Sequence, residues 1–183
     1  MLLNVLYTAW RICIFRAGPQ DLPAATQAVV HAVMLALVVQ AVQFQLTLPL
    51  MAAVAQSLVA VAVVWAFTTG VLNMRGTPER VPQTASALLL TNAIFSLLLV
   101  PFLLPMIPAM EAIARDPEAQ VDVPALALMG TVALSAWSIA VSVWIFRNAM
   151  DARNALALVC ALGLAVAVYI VAGGVGMLLA PQD

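Results

Sequence analysis

The sequence predicts an all-α fold, an integral membrane bundle of five transmembrane helices with an N-terminal amphipathic interfacial helix. Three observations carry that expectation. The 183 residues are 65% apolar and only 8% charged, with a mean hydropathy of +1.09, whereas a soluble domain carries about 25% charged residues. The uncharged runs are long enough to cross lipid. The arginines fall on alternate connections. One domain over residues 1–183 fits this length.

Residues 1–16, MLLNVLYTAWRICIFR, lack a positive n-region, and no small-x-small cleavage site follows, so the segment reads as part of the mature chain. As a helix it puts Asn4, Thr8 and Arg11 on one stripe. It leaves Leu2, Leu3, Leu6, Tyr7, Trp10 and Phe15 to meet lipid or protein. It is too short to span about 30 Å of hydrocarbon. Tyr7 and Trp10, with Arg11 and Arg16 reaching headgroups, suit a helix lying in the membrane plane; a helix docked on the cytoplasmic side is the alternative. AGPQDLP (17–23) reads as a turn, since Gly18 and two prolines do not continue a helix.

No Asp, Glu, Lys or Arg occurs between Asp21 and Arg75, that is over 22–74, or 53 residues. As one helix this would be about 80 Å long, so the chain has to turn inside it, and Thr47-Leu48-Pro49 is the best break. The spans are expected near 24–46, 50–73, 83–106, 124–147 and 154–180. Glu111 and Arg115 stand at i, i+4 and suggest a short surface helix before Pro117. With five spans, one side holds Arg11, Arg16, Arg75, Arg80, Arg147 and Arg153. The other holds Arg115 against Glu111, Asp116, Glu118, Asp122 and Asp183. That asymmetry predicts a cytoplasmic N-terminus and an outside C-terminus. An Ala/Val/Leu/Arg-rich, Lys-free chain suggests a bacterial inner (plasma) membrane.

The stretch 75–105, RGTPERVPQTASALLLTNAIFSLLLVPFLLP, carries the densest intramembrane polarity. Asn92 and Ser96 share a face one turn apart, while Thr84 and Thr91 lie elsewhere on the helix. Amides within a bilayer need hydrogen-bond partners, so Asn92 faces other helices or water. Pro101 and Pro105 near the outer end predict a kink. His31, the only histidine, falls in the first span one turn after Gln27. An ionisable residue there is a functional candidate, yet no span interior offers it a charged partner, and a neutral His bonded to a neighbouring helix is the alternative. His31, Gln27, Asn92 and Ser96 are therefore the candidate intramembrane polar site. Gln40, Gln43 and Gln45 are expected near the outer interface.

Thr131, Ser135, Ser138 and Ser142 follow i, i+4, i+7, i+11 spacing and fall within about a 60° arc. They read as a helix-packing seam, with Ala157, Ala161, Ala165, Ala172 and Gly176 as its counterpart on the fifth span; a pore lining is the sharper alternative. Cys13 and Cys160 lie far apart in apolar surroundings and read as buried free thiols. The acidic outer loop lacks calcium-loop spacing, and the nine methionines are scattered without a periodic cluster. No phosphate loop, nucleophile elbow or zinc motif occurs. Neither catalysis, a cofactor nor a metal is expected, and a net charge of −1 argues against nucleic acid as a partner.

The 75–105 stretch, a short basic loop leading into a QT-containing span that ends at prolines, resembles the middle of small bacterial Yip-like proteins. AGPQDLP looks like the approach segment before their first span. The resemblance covers about 40 residues in motif and most of the chain in architecture. It implies five spans and a cytoplasmic N-terminus. The eukaryotic members associate with Rab-type GTPases, but their DLYGP-type pattern has no counterpart here, residues 21–23 being Asp-Leu-Pro, so no functional residue is carried over. The leading expectation is a non-enzymatic membrane scaffold or subunit of a membrane assembly, with the lipid bilayer and a membrane-protein partner or a second copy as partners. A small transporter or channel component with a polar cavity is the second, and an accessory subunit of a membrane enzyme the third.

Overall fold

The computed structural model describes residues 2–116 and 121–179, the side chains of 114 and 176–179 excepted; Pro117, Glu118 and Asp183 lie outside the described residues. Among these residues every regular element is helical. A first helix, α1 (Leu2–Cys13), leads through a 3-10 turn at Pro19–Asp21 into α2 (Thr26–Phe44) and α3 (Leu50–Met74). A second 3-10 turn, Pro78–Arg80, opens α4 (Val81–Leu103), and a third, Leu104–Met106, joins it to the short α5 (Ile107–Arg115). Then come α6 (Ala125–Met150) and α7 (Asn154–Leu179). Five helices, α2, α3, α4, α6 and α7, are long and apolar enough to cross a membrane.

The chain turns between α2 and α3 at residues 45–49, where Pro49 precedes the first residue of α3 and supplies a carbonyl that Ala53 binds at 2.9 Å. Pro101 lies inside α4, and the regular helix ends two residues later. Proline has no N–H for the carbonyl four residues back, so this is where the ladder is weakest. Arg115 reaches back to Glu111 at 3.4 Å along α5.

The five long helices form a ring in the order α2, α4, α6, α7, α3, and α4 also touches α3 across it. The innermost helix is α4, which buries Thr84–Thr91 without a break. Small residues allow the close approach. The buried stripe of α2 is Ala28, Ala32, Ala36 and then Gln40, a strict four-residue repeat. At the far end of the bundle Gly130 meets Phe102, whose ring lies 2.2 Å from where a Cβ would stand.

At the end of the bundle holding the N-terminus, side chains of α4 and α6 fasten the approach segment. Trp137 and Trp144 donate their indole N–H groups to the carbonyls of Cys13 (3.0 Å) and Ala17 (2.9 Å). Gln83 Nε2 donates to the Leu22 carbonyl at 2.7 Å. Such carbonyls are otherwise orphaned at a helix end or in a turn. With these bonds made, α1 buries Val5, Ala9, Ile12 and Cys13 against the bundle, touching α4 and α6, and exposes Leu3, Tyr7 and Trp10.

Three helices end here with the same left-handed cap. Thr77 N–H binds Leu72 O after Gly76 (φ 72°), Arg16 N–H binds Arg11 O after Phe15 (φ 59°), and Ala152 N–H binds Arg147 O after Asp151 (φ 47°). Glycine is the residue suited to this position, and only α3 has it.

Candidate functional site

The ring does not close fully around its centre. A cleft of about 150 Å³ lies between α4, α6 and α7, with α2 and α3 completing its wall. Its polar groups are Gln40 from α2, Asn92 from α4, and Ser138 and Ser142 from α6; Ala60, Val64, Leu88, Leu164 and Val168 are among its apolar groups. Each polar group arrives there by helical spacing. Ser138 and Ser142 are one turn apart, and Asn92 follows Leu88 by one turn on the same side of α4. Gln40 is the last residue of the buried alanine stripe.

The two amides are not satisfied by the protein. Gln40 is 3% exposed, and its Nε2 has no hydrogen-bond partner among the described residues. Asn92 is open to the cleft and likewise makes no side-chain bond to a described residue. Ser142 donates to the Ser138 carbonyl at 3.0 Å, so its oxygen remains an acceptor facing the cleft. A buried, unpaired amide donor is costly, and a polar cleft is where a water or a polar ligand would supply the missing partner. No charged side chain lines the space, so it presents hydrogen bonds without net charge.

The four residues expected to form an intramembrane site do not come together. Asn92 lines the cleft, whereas His31, Gln27 and Ser96 do not. His31 is exposed on the outer side of α2, and its Nδ1 is bound to the Gln27 carbonyl one turn back. The bond it makes through Nδ1 lies within its own helix, whereas the sequence suggests a partner on a neighbouring helix. Gln27 is exposed and Ser96 is buried.

The hydroxyl stripe of α6 divides as well. Ser138 and Ser142 face the cleft, Ser135 is exposed, and Thr131 lies 3.8 Å from the Met106 sulfur. Around Ser135 the N-terminal half of α6 is open, with Leu126, Met129 and Val132 at 78%, 70% and 60% exposure. A seam needs a neighbouring backbone along its whole length, and among the described residues α6 has one only over part of it. On α7, Ala157, Ala161 and Ala172 are buried, while Ala165 opens to the cleft.

Gln40, grouped in the sequence with Gln43 and Gln45 near the outer interface, is turned inward to the cleft by the structure. The signal was present: three alanines at four-residue spacing mark the inward stripe of α2, and Gln40 continues it.

A second polar recess, of about 250 Å³, lies among Gln20, Arg80, Gln83, Thr84, Asn148 and Asp151. Its groups are bonded to one another and to the chain. Arg80 Nη1 donates to Asp151 Oδ2 at 2.7 Å and to Ala149 O at 2.9 Å, and Asn148 Nδ2 donates to Trp144 O at 2.7 Å. This is a joint between elements. Among the described residues no three His, Cys, Asp or Glu side chains gather closely enough to hold a metal ion. No protein-family model, curated protein or solved structure matches the chain.

Proposed function

We propose that the protein is a non-enzymatic, multi-pass inner-membrane protein whose central cleft takes a small uncharged polar solute, making it a component of a passive transport path. One observation carries this reading: the unpartnered Gln40 amide, nearly fully buried, turned into the same cleft as Asn92, Ser138 and Ser142. A space of about 150 Å³ suits a molecule of a few heavy atoms, comparable to the benzene-sized cavities known in protein cores. The orientation that goes with this reading has the N-terminus cytoplasmic and the C-terminus outside, from the arginine asymmetry. In it α1 is an amphipathic interfacial helix, laying Leu3, Tyr7 and Trp10 toward lipid.

The test is osmotic. Proteoliposomes holding the purified protein are challenged with urea or glycerol, and reswelling is followed by light scattering. Entry of at least one solute faster than into protein-free liposomes, and a return to the protein-free rate with Asn92→Leu, is expected. Equal rates in all three preparations would remove the reading.

The scaffold or subunit reading, similar to Yip-like proteins, is favoured by a separate feature. An apolar groove of about 530 Å³ runs between α2 and α3 along Val30, Val33, Met34, Leu37, Leu58 and Trp65, and suits a partner helix or a second copy. Affinity purification after mild detergent extraction tests it. A stoichiometric membrane protein lost with Met34→Gln and Leu58→Gln would support the scaffold; isolation without a partner would return the weight to transport.

A further inference from the structure

Phe15 occupies a backbone position meant for glycine. It ends α1 at φ 59°, where a side chain carries strain that the equivalent Gly76 of α3 avoids. Core burial does not explain it, because Phe15 is 43% exposed. Its ring instead meets Trp144 edge-on, with centroids 5.9 Å apart and planes at 86°. Trp144 is itself fixed by its bond to the Ala17 carbonyl, and the Arg147 guanidinium lies 5.7 Å over its ring. Phe15, Val143, Trp144, Leu158, Arg147 and Asn154 line a groove of about 330 Å³ between α6 and α7.

The groove has two chemistries in sequence. Its walls are apolar and aromatic, and its mouth carries Arg147 near the end of α6 and Asn154 at the start of α7. Among the described residues Arg147 has no carboxylate partner. Asp151, one turn further on, is held by Arg80. This end of the bundle has six arginines against Asp21, Glu79 and Asp151, six minus three or a net charge of +3. Basic groups where a helix leaves the hydrocarbon attract anionic headgroups.

We propose that this groove binds one anionic phospholipid. Its phosphodiester meets the Arg147 guanidinium and the Asn154 amide, and an acyl chain lies along Val143 and Leu158 against the Phe15 and Trp144 rings. The fit is one of charge complementarity at the mouth and apolar walls below it. It does not depend on the transport reading of the central cleft.

Native mass spectrometry of the detergent-purified, delipidated full chain, titrated with phosphatidylglycerol or phosphatidylcholine, tests it. Both lipids offer the phosphodiester contact, but the trimethylammonium of phosphatidylcholine would sit beside Arg147 at a basic end of the bundle, so the first phosphatidylglycerol is expected to bind about tenfold more tightly. Arg147→Gln should abolish that preference. Phe15→Gly keeps the cap and relieves its strain, so the protein stays folded, and binding of both lipids should weaken severalfold. Equal binding of the two lipids to the unaltered protein would overturn the proposal, as would a preference that survives Arg147→Gln. A photo-crosslinking residue at Leu158 that captures a membrane protein in place of lipid would overturn it too.

Discussion

Arg80 and Asp151, 71 positions apart in the chain, meet at 2.7 Å, and the same Arg80 nitrogen binds the Ala149 carbonyl at 2.9 Å. One side chain at the start of α4 thus closes the C-terminal end of α6. The pair is open to solvent, its side chains 39% and 75% exposed, so its ion-pair component is weak, about 0.5 kcal/mol. The carbonyl bond adds about 1 kcal/mol. Arg80→Ala, which loses both, should lower stability by about 1.5 kcal/mol in detergent. Asp151→Gly should be close to neutral, because relief of the left-handed strain offsets the lost ion pair. Thermal unfolding of both variants checks this; a larger loss for Asp151→Gly than for Arg80→Ala would refute it.

Gly130 can take a side chain only if the Phe102 ring moves. A Cβ there would come within 2.2 Å of the Phe102 ring, and overpacking of this kind costs about 1–3 kcal/mol. Gly130→Ala should therefore destabilise the protein, and Phe102→Leu in the same chain should restore most of the loss. Failure of the second substitution to rescue the first would show that the contact is not what limits the site.

Cys13 reports on the docking of α1. It is 2% exposed, and burial pushes its thiol up to about 12 from an ordinary value of 9.0. An undocked thiol ionises at its ordinary value while the docked one does not, so the undocked form gains thiolate as pH rises. The docking contribution is complete below pH 9.0 and is lost progressively between there and about 12. In a Cys160→Ala background, alkylation of Cys13 at pH 8 should be at least about a hundredfold slower in mild detergent than in a denaturing one, since the thiolate is the reacting species. Equal rates would mean that α1 is not docked.

Gln40 should trade stability for function. Replacing a buried amide that lacks a partner with an apolar group of similar size is close to neutral or stabilising. Gln40→Met is therefore expected to hold or raise the melting temperature while reducing solute entry through the cleft. A marked loss of stability would instead show that the amide is satisfied in the folded protein.

Much of the fold was legible because it follows from quantities a sequence states directly. Charge-free runs of known length dictate how many times the chain crosses an apolar slab, since every backbone polar group there has to be bonded within a helix. Prolines mark where the ladder breaks, as at Pro49 and Pro101. The site was legible only in part. Asn92 stands out in the sequence as an amide in a long apolar helix, but the companion expected for it, His31, faces outward and bonds to Gln27. Gln40 stands beside Gln43 and Gln45 in the sequence, and only the stripe of Ala28, Ala32 and Ala36 that leads to it marks it as inward-facing.

The sequence by itself determined the helical class, the five long apolar helices and the gathering of arginines at one end of the bundle. These depend on composition and on period along one chain. Tertiary structure alone decided that Gln40, Asn92, Ser138 and Ser142 share one cleft, that Trp137, Trp144 and Gln83 hold the approach segment, and that Arg80 reaches Asp151. Helices that are apolar all round carry little information about which side faces in. The rotation of each one is set by close packing of small residues against its neighbours.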